Sequence, residues 1–231
     1  MDRQTRHELK SDKFVEEVTQ TVEFIEQHKS QVAKYGGIGL AVVVLAAGGW
    51  FYTSNAKLKR QAALGEAIAL VNVPVGPAPE GQQSFPTEEA KEQAVQKAFN
   101  EIVTKYSGTN ESGAALYMLG LAAADKGKMA DAERFLRQAA QEGGKEFASL
   151  AKLALADVLA ANGKTAEAEK ELRDLAAKPT TLVSKEQASL NLARILAKTK
   201  PAEAKKILEP LRGTSGPASA AAISMISELG L

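Results

Sequence analysis

His7 and His28 are the chain's entire supply of imidazole, and they stand 21 residues apart. A helical zinc site needs ligands three or four residues apart, or the fixed spacings of a finger or ribbon, and two isolated histidines form neither. There is no cysteine, so disulfides, thiolate metal sites and thiol nucleophiles are excluded by inventory. The serines of "YSGTNESG" (106–113) lack the strand-to-helix elbow that exposes a nucleophile, and no histidine follows residue 28 to act as their base. Two glycine-rich stretches, "GGIGLA" and "GTSGPAS", lack the lysine and preceding strand of a phosphate loop. Asp131, Glu133, Glu167, Glu169 and Glu171 alternate with Arg134, Arg137, Lys170 and Arg173 at spacings that suit ion pairs on a solvated helix face. The inventory predicts no catalytic residue, no metal and no cofactor: a protein that binds rather than an enzyme.

The elements that carry these residues are helical. Apolar residues make up 45% and aromatics only 5% of the 231 residues, and the alanine-rich second half favours closely packed helices. A net charge of +1 argues against a nucleic-acid binder that works through a basic field.

Between Lys34 and Lys57 lie 22 uncharged residues, "YGGIGLAVVVLAAGGWFYTSNA". As a helix they extend about 33 Å, enough for a hydrocarbon core of about 30 Å. Tyr35 stands at one end and Trp50 and Tyr52 near the other, where amphipathic rings meet lipid headgroups. A retained transmembrane helix over 35–56 is the expectation; a buried soluble helix and a cleaved signal peptide are the alternatives. The preceding 34 residues contain six Lys/Arg and seven Asp/Glu, unlike the basic start of a signal. Within them Phe14, Val18, Val22 and Ile25 recur at helical spacing, giving an amphipathic segment over 1–34. Gly37, Ala41, Leu45 and Gly48 share a face of the span that another membrane helix could approach closely.

Beyond the span, residues 57–231 read as one helical domain interrupted by a Pro/Gly-rich loop at 72–86. Thr87 is the expected N-cap of the next helix, which carries Ala94, Ala98 and Ile102 on one face. Sliding the chain by 36 residues then overlays "GKMADAERFLRQAA" from Gly127 on "GKTAEAEKELRDLAA" from Gly163, with "TKPAEAKKILEPLRG" from Thr199 at the same interval. Ala132, Ala168 and Ala204 fall in register, as do Leu136, Leu172 and Leu208. Alanine at the helix crossing lets backbones approach and leucine one turn on fills the space beside it. Hairpins of this kind cannot bury their apolar faces alone, so they stack. The final segment, from Pro217, is expected to cover the last hairpin with Ile223, Ile226 and Leu229.

These hairpins resemble the tetratricopeptide repeat. Its "LG" pair in the first helix stands here as Leu119–Gly120 and Leu155–Ala156, its turn glycine as Gly127 and Gly163, and its later alanine as Ala132 and Ala168. The third copy departs, with Asn191–Leu192 and a turn at Thr199, and Lys152 replaces the bulky residue that is Leu116 in the first. The resemblance implies an α-solenoid, so with the expected span the fold class is all-α: one N-terminal transmembrane helix followed by a tetratricopeptide-repeat-like α-solenoid. It also implies an inner face for protein binding on the first helices: Tyr117, Leu121 and Asp125, then Leu153 and Asp157, then Glu186 and Ser189. Tyr117 and Leu153 read equally well as core. With "VEFIEQHKSQVAKYGGIGLAVVVLAAGGWFY" ahead of the repeats, the chain is similar to the YfgM-like family of bacterial inner-membrane proteins, ancillary to the Sec translocon. That similarity implies a cytoplasmic N-terminus, a periplasmic C-terminal domain, and partners among the translocon, chaperones or secreted clients. Lys29 and Lys34 against Lys57, Lys59 and Arg60 lean slightly towards the opposite orientation. The function expected is a membrane-anchored interaction adaptor, with a permanent structural subunit of a membrane complex as the alternative.

Overall fold

The computed structural model describes residues 29–79 and 81–230, with side chains of the first helix described from Val42. The amphipathic segment expected around Phe14–Ile25 lies outside the described residues, as do both histidines. Every regular element described is a helix: α1 (Lys29–Val71), α2 (Glu88–Lys105), α3 (Asn110–Asp125), α4 (Met129–Glu142), α5 (Gly144–Ala161), α6 (Thr165–Ala177), α7 (Lys185–Leu196), α8 (Pro201–Arg212) and α9 (Pro217–Leu229). The chain's contacts divide it between Leu58 and Lys59.

Before that division, α1 carries an exposed apolar run. Val42, Val43, Val44 and Leu45, then Trp50, Phe51 and Tyr52, are each between 60% and 77% exposed. Among the described residues no helix is long and apolar enough to cross a membrane. The side chains of residues 35–41, where the expected span begins, lie outside that set.

After the division, the helices pack as successive hairpins. The second helices begin at Met129, Thr165 and Pro201, 36 residues apart, as the repeat requires. Ala132, Ala168 and Ala204 are fully buried, and so are Leu136, Leu172 and Leu208. The small side chain and the large one thus sit where the close crossing needs them. Helix starts follow local chemistry: Thr87, Thr109 and Ser184 each accept an N–H from three residues on, at Ala90, Ser112 and Gln187.

The turns explain the departure of the third copy. Gly127 and Gly163 have φ of +69° and +76°, and the next residue, Lys128 or Lys164, donates back five positions to Ala123 or Leu159. This is the glycine-dependent helix stop. Thr199 avoids positive φ, and Lys200 N–H donates four positions back, to Leu196. Lys152, the other departure, lies over α6 and bonds Asp174 at 2.9 Å, so its stem packs while its charge is paired.

The loop at 72–86 is held across its base, where Gly76 N–H donates to Phe85 and Phe85 N–H to Pro74. The terminal helix α9 covers α8 and α7, and of the face expected Ile226 lies inward while Ile223 does not. Ala222 is fully buried, Met225 and Ile226 pack against the core, and Ile223 is half exposed. The small alanine takes the closest approach and rotates Ile223 outward. The side chain of Leu229 lies outside the described residues.

Candidate functional site: the inner helices of the repeat domain

Tyr117, Leu121 and Asp125 recur every four residues along α3 and so share one face. At the start of that face Tyr117 is half-buried against the core, and burial pushes its hydroxyl pKa up. Leu121 is half-buried and Asp125 exposed. Both line a cavity of about 550 Å³ whose walls are Phe99 and Val95 of α2, Met118 of α3 and Phe135 of α4. Its mouth is polar. Glu92 is paired there with Lys126 across the hairpins, and Asp131 with Arg134, whose guanidinium lies 4.2 Å over the Phe135 ring.

The remaining residues expected on the inner face are not gathered into this cavity. Leu153 is buried in the main core on α5, which resolves the two readings of that residue in favour of packing. One turn on, Asp157 is exposed. The protein around its carboxyl nevertheless desolvates it and pushes its pKa up, with Arg194 of α7 pulling the other way. Glu186 and Ser189 are half-buried on α7. The backbone N–H of Glu186 itself, at the start of α7, and the Ser184 hydroxyl hold the Glu186 carboxyl below its ordinary range.

Sequence reading did not identify the α2 side of the cavity. Val95 and Phe99, at i and i+4, are an apolar helical pair that periodicity could have revealed. Their partners Met118 and Phe135 could not be assigned without the hairpin geometry.

Two carboxylates fix the frame in which this surface sits. Glu142 of α4 accepts the Ser112 hydroxyl at 3.0 Å, Gly108 N–H at 3.1 Å and the Gln138 amide at 2.9 Å. Burial pushes the Glu142 pKa up, but these donors outweigh it and hold the carboxyl below its ordinary value. Glu111, only 7% exposed, is paired with Arg60 near the start of the domain at 3.3 Å. Among the described residues no group of three or more His, Asp or Glu side chains is arranged to hold a metal ion. Along α3 the surface offers apolar contact in the cavity and hydrogen bonds or ion pairs at its mouth.

Residues 29–179 match the model of the tetratricopeptide repeat-like domain family. Neither the curated proteins nor the solved structures contain a match.

Proposed function

Because the chain belongs to the tetratricopeptide repeat-like domain family, we propose that it is a membrane-tethered protein-interaction adaptor with no catalysis of its own. Its residues 35–56 span the bacterial inner membrane, with the N-terminus in the cytoplasm and the repeat domain in the periplasm. It serves as an ancillary factor of the Sec translocon or of a periplasmic chaperone network. The observation that carries the tether is the exposed run from Val42 to Leu45 and from Trp50 to Tyr52. Leaving so many large apolar side chains in water is costly, and soluble proteins rarely expose such a continuous patch. Lipid removes that cost, and the aromatic rings suit the headgroup boundary.

The tether also makes weak recognition sufficient. Holding the repeat domain beside a membrane partner raises its effective concentration towards the millimolar range. A surface with one apolar cavity can then act without high intrinsic affinity.

The test is to start the chain after Tyr52. The shortened protein is expected to be folded and freely soluble, and to lose co-purification with its membrane partner. Unchanged co-purification refutes the tether. A permanent structural subunit is the second reading, in which the face of the span carrying Gly37, Ala41, Leu45 and Gly48 is where another helix packs. An adaptor leaves its partner in mild detergent, whereas a structural subunit stays at fixed stoichiometry.

A further inference from the structure

The hairpins α3–α4, α5–α6 and α7–α8 are joined at their two interfaces by the same set of charges. At the first interface, Glu133 of α4 accepts Lys164 Nζ at 2.8 Å and Arg137 at 2.9 Å, while Arg137 reaches on to Glu167 of α6 at 2.6 Å. Asn162 also donates to Glu133, at 3.3 Å. At the second interface, 36 residues later, Glu169 accepts Lys200 and Arg173, each at 2.8 Å, and Arg173 reaches on to Glu203 of α8. Lys200 also lies 4.0 Å from Glu203. The two central carboxylates are well shielded, at 15% and 17% side-chain exposure. In α8 the corresponding residues are Lys205 and Glu209. The order of charge reverses there, and Glu209 pairs with Arg212 of its own helix.

An isolated surface pair can stretch or rotate without effect on the fold. Here one carboxylate holds cations from two hairpins, and its arginine holds a carboxylate on the next, so rotating a hairpin strains several contacts together. The apolar contacts beneath are different in kind. Buried alanines and leucines attract at short range but are not directional, and they tolerate a small change of angle better than a forked ion pair does.

We propose that this ladder is an electrostatic spring: it holds successive hairpins at one mutual angle, and the angle becomes variable when salt or acid weakens the carboxylate–cation contacts. If the adaptor reading holds, the consequence is functional, because α3, α5 and α7 carry the inner face and belong to the hairpins the ladder joins. At neutral pH the variable that acts is ionic strength, since about 1 M salt shortens the screening length to about 3 Å. Acid acts by protonation. Hydrogen bonds from Lys164 to Glu133 and from Lys200 to Glu169 are the largest causes holding these carboxyls below their ordinary range. The spring is therefore present at neutral pH and is lost only as pH falls through those lowered values.

The chain has no cysteine, which allows a clean distance measurement on the full-length protein. Ala130 and Ala202 are exposed and occupy equivalent positions in α4 and α8. With Ala130→Cys and Ala202→Cys carrying nitroxide labels, pulsed electron-spin spectroscopy should give one narrow distance at neutral pH and low salt. The distribution should broaden in about 1 M salt, and should already be broad at low salt in Glu133→Gln/Glu169→Gln. The same narrow distribution in every condition overturns the spring. If the glutamine pair lowers the helical circular dichroism, Lys164→Gln/Lys200→Gln decides instead by removing the cations. The measurement needs no partner, so it can fail while the adaptor reading stands, and the adaptor reading can fail on partner capture while the ladder is upheld.

Discussion

Gly113 of α3 lies directly beneath Gly143, the residue that joins α4 to α5. A methyl group on Gly113 would stand 2.1 Å from the Cα of Gly143 and 2.4 Å from its nitrogen. Both obstructing atoms are backbone, so no side chain can move aside. Gly113→Ala is expected to destabilise the domain by about 1–3 kcal/mol through forced separation of the two segments. Gly65→Ala in α1, where nothing lies within 4 Å, should instead be neutral or gain about 0.5–1 kcal/mol from helix propensity. Urea denaturation of the two variants checks the pair, and equal midpoints would show that α3 does not approach the turn closely.

Leu172 is the middle member of the buried leucine series and is fully enclosed. Leu172→Ala should cost about 2–5 kcal/mol, the sum of lost burial and a residual cavity. Leu182, at 44% exposure in the loop before α7, is the comparison: Leu182→Ala should change stability by less than about 0.5 kcal/mol. A difference of less than 1 kcal/mol between the two would contradict the stacked-hairpin core.

Glu142 should make stability depend on pH in one direction. Its carboxyl is held below the ordinary value in the folded chain by Gln138, Gly108 and Ser112 acting against burial. Its contribution is therefore complete above the unfolded pKa and is lost as pH falls through the lower folded one. Glu142→Ala should remove about 1–2 kcal/mol at neutral pH and flatten the acid limb of the stability curve. A variant whose acid limb matches the wild type would show that this carboxylate does not tie α4 to the start of α3.

On the inner face, folding and recognition should separate between neighbours on one helix. Tyr117 packs against the core, so Tyr117→Ala is expected to cost about 1–3 kcal/mol. Leu121 and Asp125 line the cavity, so Leu121→Ala combined with Asp125→Asn should keep the thermal midpoint within a few degrees and reduce cross-linking to the proposed membrane partner. Intact cross-linking in that double variant would remove the cavity from the binding surface.

Much of the domain was legible in the chain because repetition is local information. A 36-residue offset placed Ala132, Ala168 and Ala204 at the crossings, and all three are buried without exposed surface. The Thr87 cap could likewise be read from the residues beside it, since a hydroxyl before an acidic first turn satisfies N–H groups that the helix leaves open. The same reading put Ile223 on the covered face of the last helix. It could not weigh Ala222 against it, because which side approaches α8 most closely is a property of the packed pair.

Residue types and spacing alone determined that the chain is helical, that it repeats, and that it carries an uncharged apolar stretch between Lys34 and Lys57, because propensity and periodicity act over a few turns. Only the tertiary structure decided that Leu153 is core, that Leu121 and Asp125 share a cavity with Phe99 and Phe135, and that Glu133 and Glu169 each hold cations from two hairpins. Those contacts join residues on different helices, and they exist only at the angle at which one hairpin settles on the next.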